Sequence, residues 1–246
     1  MHNATAIRQA FDQVSALRAR TGAHPAQAVA TYQVKALQAR RFAGSYADLL
    51  AAGPFAPAAR FFMTELYSPR DYRERDAQFA RIAGAIDRLF PARVGAVCLG
   101  LAQLHALTEQ LDCAMGEAWQ LTDAGDHNAT RYLHAWRTVG RLQDRFNQLD
   151  TVLGIGRELA QLTQTRGLRT LLRLMRQPAS AAGLSALQTF LEAGFDTCAA
   201  RASAPGGAAA FLNLIAQREQ ALLDTLFQPD LVASETQLRL VLGLAP

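Results

Sequence analysis

Apolar residues recur in this chain at three- and four-residue spacing almost from end to end. No run alternates apolar and polar residues for long enough to propose a buried strand. A chain with only that periodicity buries its apolar faces by packing helix on helix. The fold is therefore expected to be all-α, an irregular bundle of about eight to ten helices without a sheet. With 246 residues, 50% of them hydrophobic and 19% charged, the chain can bury a substantial core without disulfides or metals. A single domain over 1–246 is expected, with the polar stretch around 122–129 as a possible subdomain break.

Local signals place the helices. Thr5 to Ala19 presents Ile7, Phe11, Val14 and Leu17 and stops at Thr21-Gly22, where glycine tolerates a left-handed cap. Pro25 suits the first turn of a second helix running to Arg41 or beyond, with Val29, Tyr32, Leu37 and Phe42 expected inward. A turn over 51–57 precedes a short helix, Ala58 to Tyr67, which Ser68-Pro69 closes. Asp71 is expected to cap the next helix, with Glu74 three residues on, and Pro91 ends it. Residues 92–121 form the most apolar stretch and predict a core helix. One long helix is expected from Thr130 to Ala160 or later, with Gly154 and Gly156 as possible interruptions. Leu168 to Arg176, Gly183 to Ala200, Ala208 to Phe227 and Ser234 to Leu244 follow, with a linker over 202–207.

Charge excludes little but limits the partners. The formal net charge is +4, and every basic residue except Lys35 is an arginine. Residues 1–100 hold 13 basic and 7 acidic side chains, residues 101–246 hold 12 and 14, so the surplus is modest and N-terminal. Asp71, Glu74, Asp76 and Asp87 interrupt it, which argues against a dedicated nucleic-acid surface. No apolar stretch approaches the about 20 residues of a transmembrane helix. The start lacks the basic and apolar segments of a secretory signal, so a cytoplasmic chain is expected. Cys98, Cys113 and Cys198 are widely spaced and read as reduced core thiols.

On a helical wheel of Ala58 to Tyr67, Phe62 and Leu66 centre the apolar face, and Glu65 lies between that centre and Phe61. A carboxylate flanked by apolar side chains must be paired, coordinated or protonated. An ion pair with Arg70, Arg73 or Arg75 is the commoner solution. A proton-transfer group or ligand in a pocket is the other. The heptapeptide Phe61-Phe62-Met63-Thr64-Glu65-Leu66-Tyr67 resembles the signature of the bacterial FFLEELY-motif proteins, and residues 68–76 resemble its continuation. Met63 and Thr64 depart from the signature, while the aromatic pair, Glu65 and Leu66-Tyr67 agree with it. The resemblance covers roughly residues 42–119 and implies no activity or cofactor. It directs attention to Glu65, Tyr67, Asp71, Arg75 and Asp76 as a candidate polar site.

His105 and Asp112 join those candidates from the edge of the 92–121 helix, whose inward arc is expected to hold Leu104, Leu107, Leu111, Met115 and Trp119. His105 and Glu109 are four apart, close enough to share a proton or a metal, yet such pairs are common on ordinary helices. The chain has no Glu-x-x-His, so a ferritin-like metal site is not expected, and a haem would rely on His105 alone. No metal or cofactor is predicted, and neither a nucleophile elbow nor a phosphate loop occurs. His127 and His134 read as loop and surface residues.

Arg166, Arg169, Arg173 and Arg176 fall at helical spacing opposite Leu168, Leu171, Leu172 and Met175. Such a stripe is either the solvated face of a packed helix or a contact for an acidic partner, a phosphate-bearing ligand or an anionic membrane. Arg137, Arg141 and Arg145 suggest a second stripe. Two functional expectations result. One is a non-enzymatic interaction or regulatory protein, with a protein partner or self-association. The other is a helical small-molecule or metal-binding protein, an enzyme or a non-catalytic binder, with a pocket at the 61–67 segment.

Overall fold

Helical periodicity becomes helix nearly everywhere in a computed structural model that describes residues 2–65, 68–123, 125, 127–202 and 206–243. In chain order the helices are α1 (His2–Gly22), α2 (Pro25–Ser45), α3 (Ala47–Ala51), α4 (Ala56–Glu65), α5 (Arg73–Leu89), α6 (Ala92–Gln120) and α7 (Asn128–Val139). They continue with α8 (Leu142–Leu162), α9 (Leu168–Leu174), α10 (Arg176–Ala181), α11 (Ser185–Ala202), α12 (Gly207–Phe227) and α13 (Leu231–Val241). Among the described residues there is no strand, so the fold is all-α, with more helices than expected because the stretches 25–51, 128–162 and 168–181 each hold two helices where one was expected.

The chain divides into two compact units, each drawn from three stretches of sequence. Unit 1 comprises Met1–Ser15, Arg70–Ala106 and Asp150–Leu212; unit 2 comprises Ala16–Pro69, Leu107–Leu149 and Asn213–Pro246. The polar segment 122–129 lies inside unit 2. Unit 1 is built on Ile7, Phe11, Val14, Phe79, Ile86 and Leu187. Its α11 packs on α5, fastened where the Gln78 side-chain oxygen accepts from the backbone N–H of Leu187 at 2.9 Å.

Unit 2 surrounds Val34, Leu37, Met115, Trp119, Leu133 and Trp136. Two glycines set its helix crossings. A Cβ on Gly116 would stand 2.2 Å from Thr31 Oγ1, and one on Gly44 would stand 1.6 Å from the Val241 carbonyl oxygen. Both lie below any tolerated contact, so at these two points α2 approaches α6 and α13 as closely as it does only because a glycine carries no side chain.

Four expectations are corrected. On α2, Val29 and Tyr32 are 57% and 59% exposed, and the inward stripe is Ala30, Thr31, Val34, Leu37, Arg41 and Phe42. Leu37 and Phe42 are buried as expected, while in the first half of the helix the small residues Ala30 and Thr31 take the inward positions in place of Val29 and Tyr32. The long helix from Thr130 is broken at Gly140 (φ 61°, ψ −113°) and Arg141 (φ 55°), not at Gly154 or Gly156, which stay helical. Only glycine adopts Gly140's backbone geometry without strain. On α4 the buried residues are Ala56, Ala58 and Ala59, with Phe61 and Phe62 half-buried; Leu66 lies outside the described residues. Asp71 sits one residue before the Tyr72 cap of α5 and accepts from the Arg73 N–H at 3.0 Å, while Glu74 accepts from Gln78 instead of closing a box.

Candidate functional site

The sequence-nominated polar residues divide between the units: Asp71, Arg75, Asp76 and His105 belong to unit 1, Glu65 and Asp112 to unit 2. In unit 1 three of them meet. Asp76, in the first turn of α5, is buried, and its Oδ2 lies 2.8 Å from His105 Nε2 on α6. Arg75 Nε is 3.8 Å from Asp76 Oδ1, and its guanidinium lies between the rings of Tyr72 and Phe190, 4.0 and 4.5 Å from their centroids. The His105 ring also packs against Phe11. A carboxylate in this position fixes the imidazole's orientation. Asp71 is exposed, and Glu65 is half-buried at the end of α4, below the edge contact of Phe61 with Phe62. Tyr67 lies outside the described residues.

Unit 2 holds the more deeply buried chemistry. Asp112 is not at the helix edge but buried, together with Glu109 one turn before it on α6. Lys35 on α2, the chain's one lysine, places Nζ 2.9 Å from both Glu109 oxygens and 3.8 Å from Asp112 Oδ2. Arg18 of α1 adds a second cation, its Nη2 donating to Glu109 at 2.9 Å. Burial works to raise the Glu109 carboxyl, but the two cations outweigh it and hold the group below its usual range. Asp112 goes the other way, because burial outweighs its more distant Lys35 partner and the neighbouring Glu109 repels it. Burial acts to lower the Lys35 ammonium, but attraction to Asp112 and Glu109 prevails and holds it above its usual range. A second ion pair joins Arg41 to Glu219 at 2.7 Å, with the Tyr46 hydroxyl donating to the same oxygen at 2.8 Å.

Arg137 and Arg145 do not form a surface stripe with Arg141. Arg137 is half-buried and donates to the Gln228 carbonyl and to Ser234 Oγ, and Arg145 is fully inside, its guanidinium 3.9 Å over the Trp136 ring. The signal that could have found this network was the lone lysine at helical register with a buried α2 stripe, facing two carboxylates three apart on the most apolar helix.

The other arginine group is only partly one helix face. Arg169 and Arg173 belong to α9, Arg166 precedes it in a turn, and Arg176 opens α10. All four are exposed. Arg169 pairs with Asp196 at 2.9 Å, and Arg176 binds Glu192 through both oxygens, drawing that carboxyl down to about 2. No residue of α9 is buried, and Leu171 and Leu174 join the arginines on the surface.

The three thiols are reduced. Cys98 and Cys113 are buried and Cys198 is half-buried. Burial raises all three, Cys98 to about 12 and Cys198 to about 11, which suppresses the thiolate that reactive cysteines need. Among the described residues no group of three His, Cys, Asp or Glu side chains could hold a metal ion, and no helix is long and apolar enough to cross a membrane.

Fold and interior together define a strand-free, multi-helix protein with an ion-paired core. Residues 17–232 match the family described as a Domain of unknown function (DUF8198), and the chain belongs to that family. No curated protein and no solved structure matches it.

Proposed function

We propose that this is a cytoplasmic bacterial protein of the FFLEELY-motif kind that works by binding an acidic protein partner, with the Arg166–Arg176 surface as its contact. The observation that carries this reading is α9, a helix that buries no residue and exposes leucines beside arginines. A helix kept only for packing turns its leucines inward. Leu171 and Leu174 instead offer apolar contact, and Arg166 and Arg173 make no ion pair among the described residues. The ties of Arg169 to Asp196 and of Arg176 to Glu192 hold the flanks of this surface on α11. Within unit 1 His105 is engaged with Asp76, and within unit 2 Glu109 is engaged with Arg18 and Lys35, which favours binding at the exposed arginines over catalysis by these groups.

The partner that fits is an acidic amphipathic helix, whose carboxylates meet the arginines while its apolar residues cover the leucines. Fluorescence anisotropy with a labelled helix carrying glutamate and leucine on one face tests it. Binding is expected to weaken with salt and to fall by at least about tenfold in Arg166→Glu/Arg173→Glu. Equal binding by that variant, or binding to anionic vesicles without binding to the peptide, overturns the reading.

A further inference from the structure

Arg145 carries chemistry that the ion pairs of unit 2 leave unused. It stands in the first turn of α8 and is 5% exposed, with its guanidinium stacked on Trp136 of α7. Its Nε and Nη2 atoms are buried and find no hydrogen-bond partner among the described residues, and neither does the buried Trp136 Nε1. A guanidinium removed from water without acceptors is costly, and native interiors rarely keep one so. The two idle donors lie on one side of the planar fork. That edge presents two parallel N–H groups at the spacing of the two oxygens of a carboxylate.

The charge around it also calls for an anion. Arg41 and Arg141 add positive charge around the Arg145 guanidinium, against which Asp112 stands as the acid. Asp112 is the acid whose field reaches Arg145, yet no ion pair forms between them, and Asp112 sits at ion-pair distance from Lys35. Glu109 and Glu219 are each bonded to other cations. The rest of its surroundings are the Tyr132 phenol and aromatic rings: Trp136 packs tilted against Tyr132 and against Phe227, with centroids 5.7 Å apart in each pair, and Phe146 lies against the same core.

We propose that the Nε–Nη2 edge of Arg145 is a receptor for the carboxylate of a small organic acid with an aromatic or apolar body, held in the core of unit 2 beside Trp136. A single fork edge with hydrophobic walls suits a monocarboxylate, whereas phosphate needs further donors for its third and fourth oxygens. The site is independent of the α9 surface, and either can fail without the other.

Nitrogen-15 NMR of the full chain, following the Arg145 Nε–H and Trp136 indole N–H signals during separate titrations with benzoate, acetate and inorganic phosphate, tests this. Benzoate should move both signals saturably, acetate should move that of Arg145 more weakly, and phosphate should move neither. Arg145→Lys keeps the charge but loses the parallel donors, and calorimetry should find benzoate binding weakened by at least tenfold. Signals unmoved by benzoate, as expected if only water serves these donors, would overturn the proposal. So would an equal response to phosphate, or wild-type benzoate affinity in Arg145→Lys. The titration of the unaltered protein decides the matter even where the variant is unstable.

Discussion

Glu109 is the residue on which the interior of unit 2 turns, because one carboxylate neutralises both Arg18 and Lys35 while almost wholly removed from water. Removing one member of a buried ion group strands the others, so Glu109→Gln should cost about 3 kcal/mol in urea unfolding at neutral pH. The pH dependence follows from the direction of its shift. A carboxyl whose folded value is lowered contributes stability that is present above its ordinary 4.5 and is lost as pH falls through the folded value. The gap between wild type and Glu109→Gln should therefore narrow as the pH falls below 4.5 and close once it has passed through the folded value. Asp112 has the opposite sign: its raised value contributes stability in acid that is lost as pH rises through it, so Asp112→Asn should be tolerated far better than Glu109→Gln at neutral pH. Equal losses for the two variants would contradict this assignment.

At the scale of elements, the crossings and breaks depend on glycines whose roles differ. Gly116→Ala pushes a methyl into Thr31, with the α2 backbone at 3.0 Å behind it, and should cost about 1–3 kcal/mol. Gly140→Ala meets nothing closer than 3.9 Å, and its cost, also about 1–3 kcal/mol, comes from the backbone angles alone. Thermal unfolding separates the two causes when each glycine is replaced by serine. The larger side chain should cost more than alanine at 116 and about the same at 140. This distinction was not legible in the sequence. Gly140, Gly154 and Gly156 all interrupt an apolar period, and only the backbone angles show which one ends a helix. By contrast α5, α6 and α12 were readable nearly to the residue, since prolines, a linker or a polar break bound them and their periodicity is uninterrupted.

For the whole molecule, the class was legible and the site only in fragments. An all-α fold follows from one period repeated throughout, which no other architecture satisfies. Sites depend on which turns of distant helices face each other, and that is decided by close-approach glycines and small residues that carry little hydrophobic signal. Asp112 was noticed from its position on α6, but its neighbours Lys35 and Arg145 come from α2 and α8, and Arg145 reads in sequence as part of a surface stripe. The Arg166–Arg176 group was legible as a basic surface, while its exposed leucines were not, because their period assigns them to a core. The proposed function places partner binding on this surface. Hydrogen exchange by mass spectrometry, with and without the acidic amphipathic peptide, tests it most directly. The account predicts fast exchange over α9 in the free protein, slow exchange over the buried part of α6 and α7, and peptide-dependent protection confined to residues 166–176 and the adjoining α11. Protection gained elsewhere with α9 unchanged would contradict it.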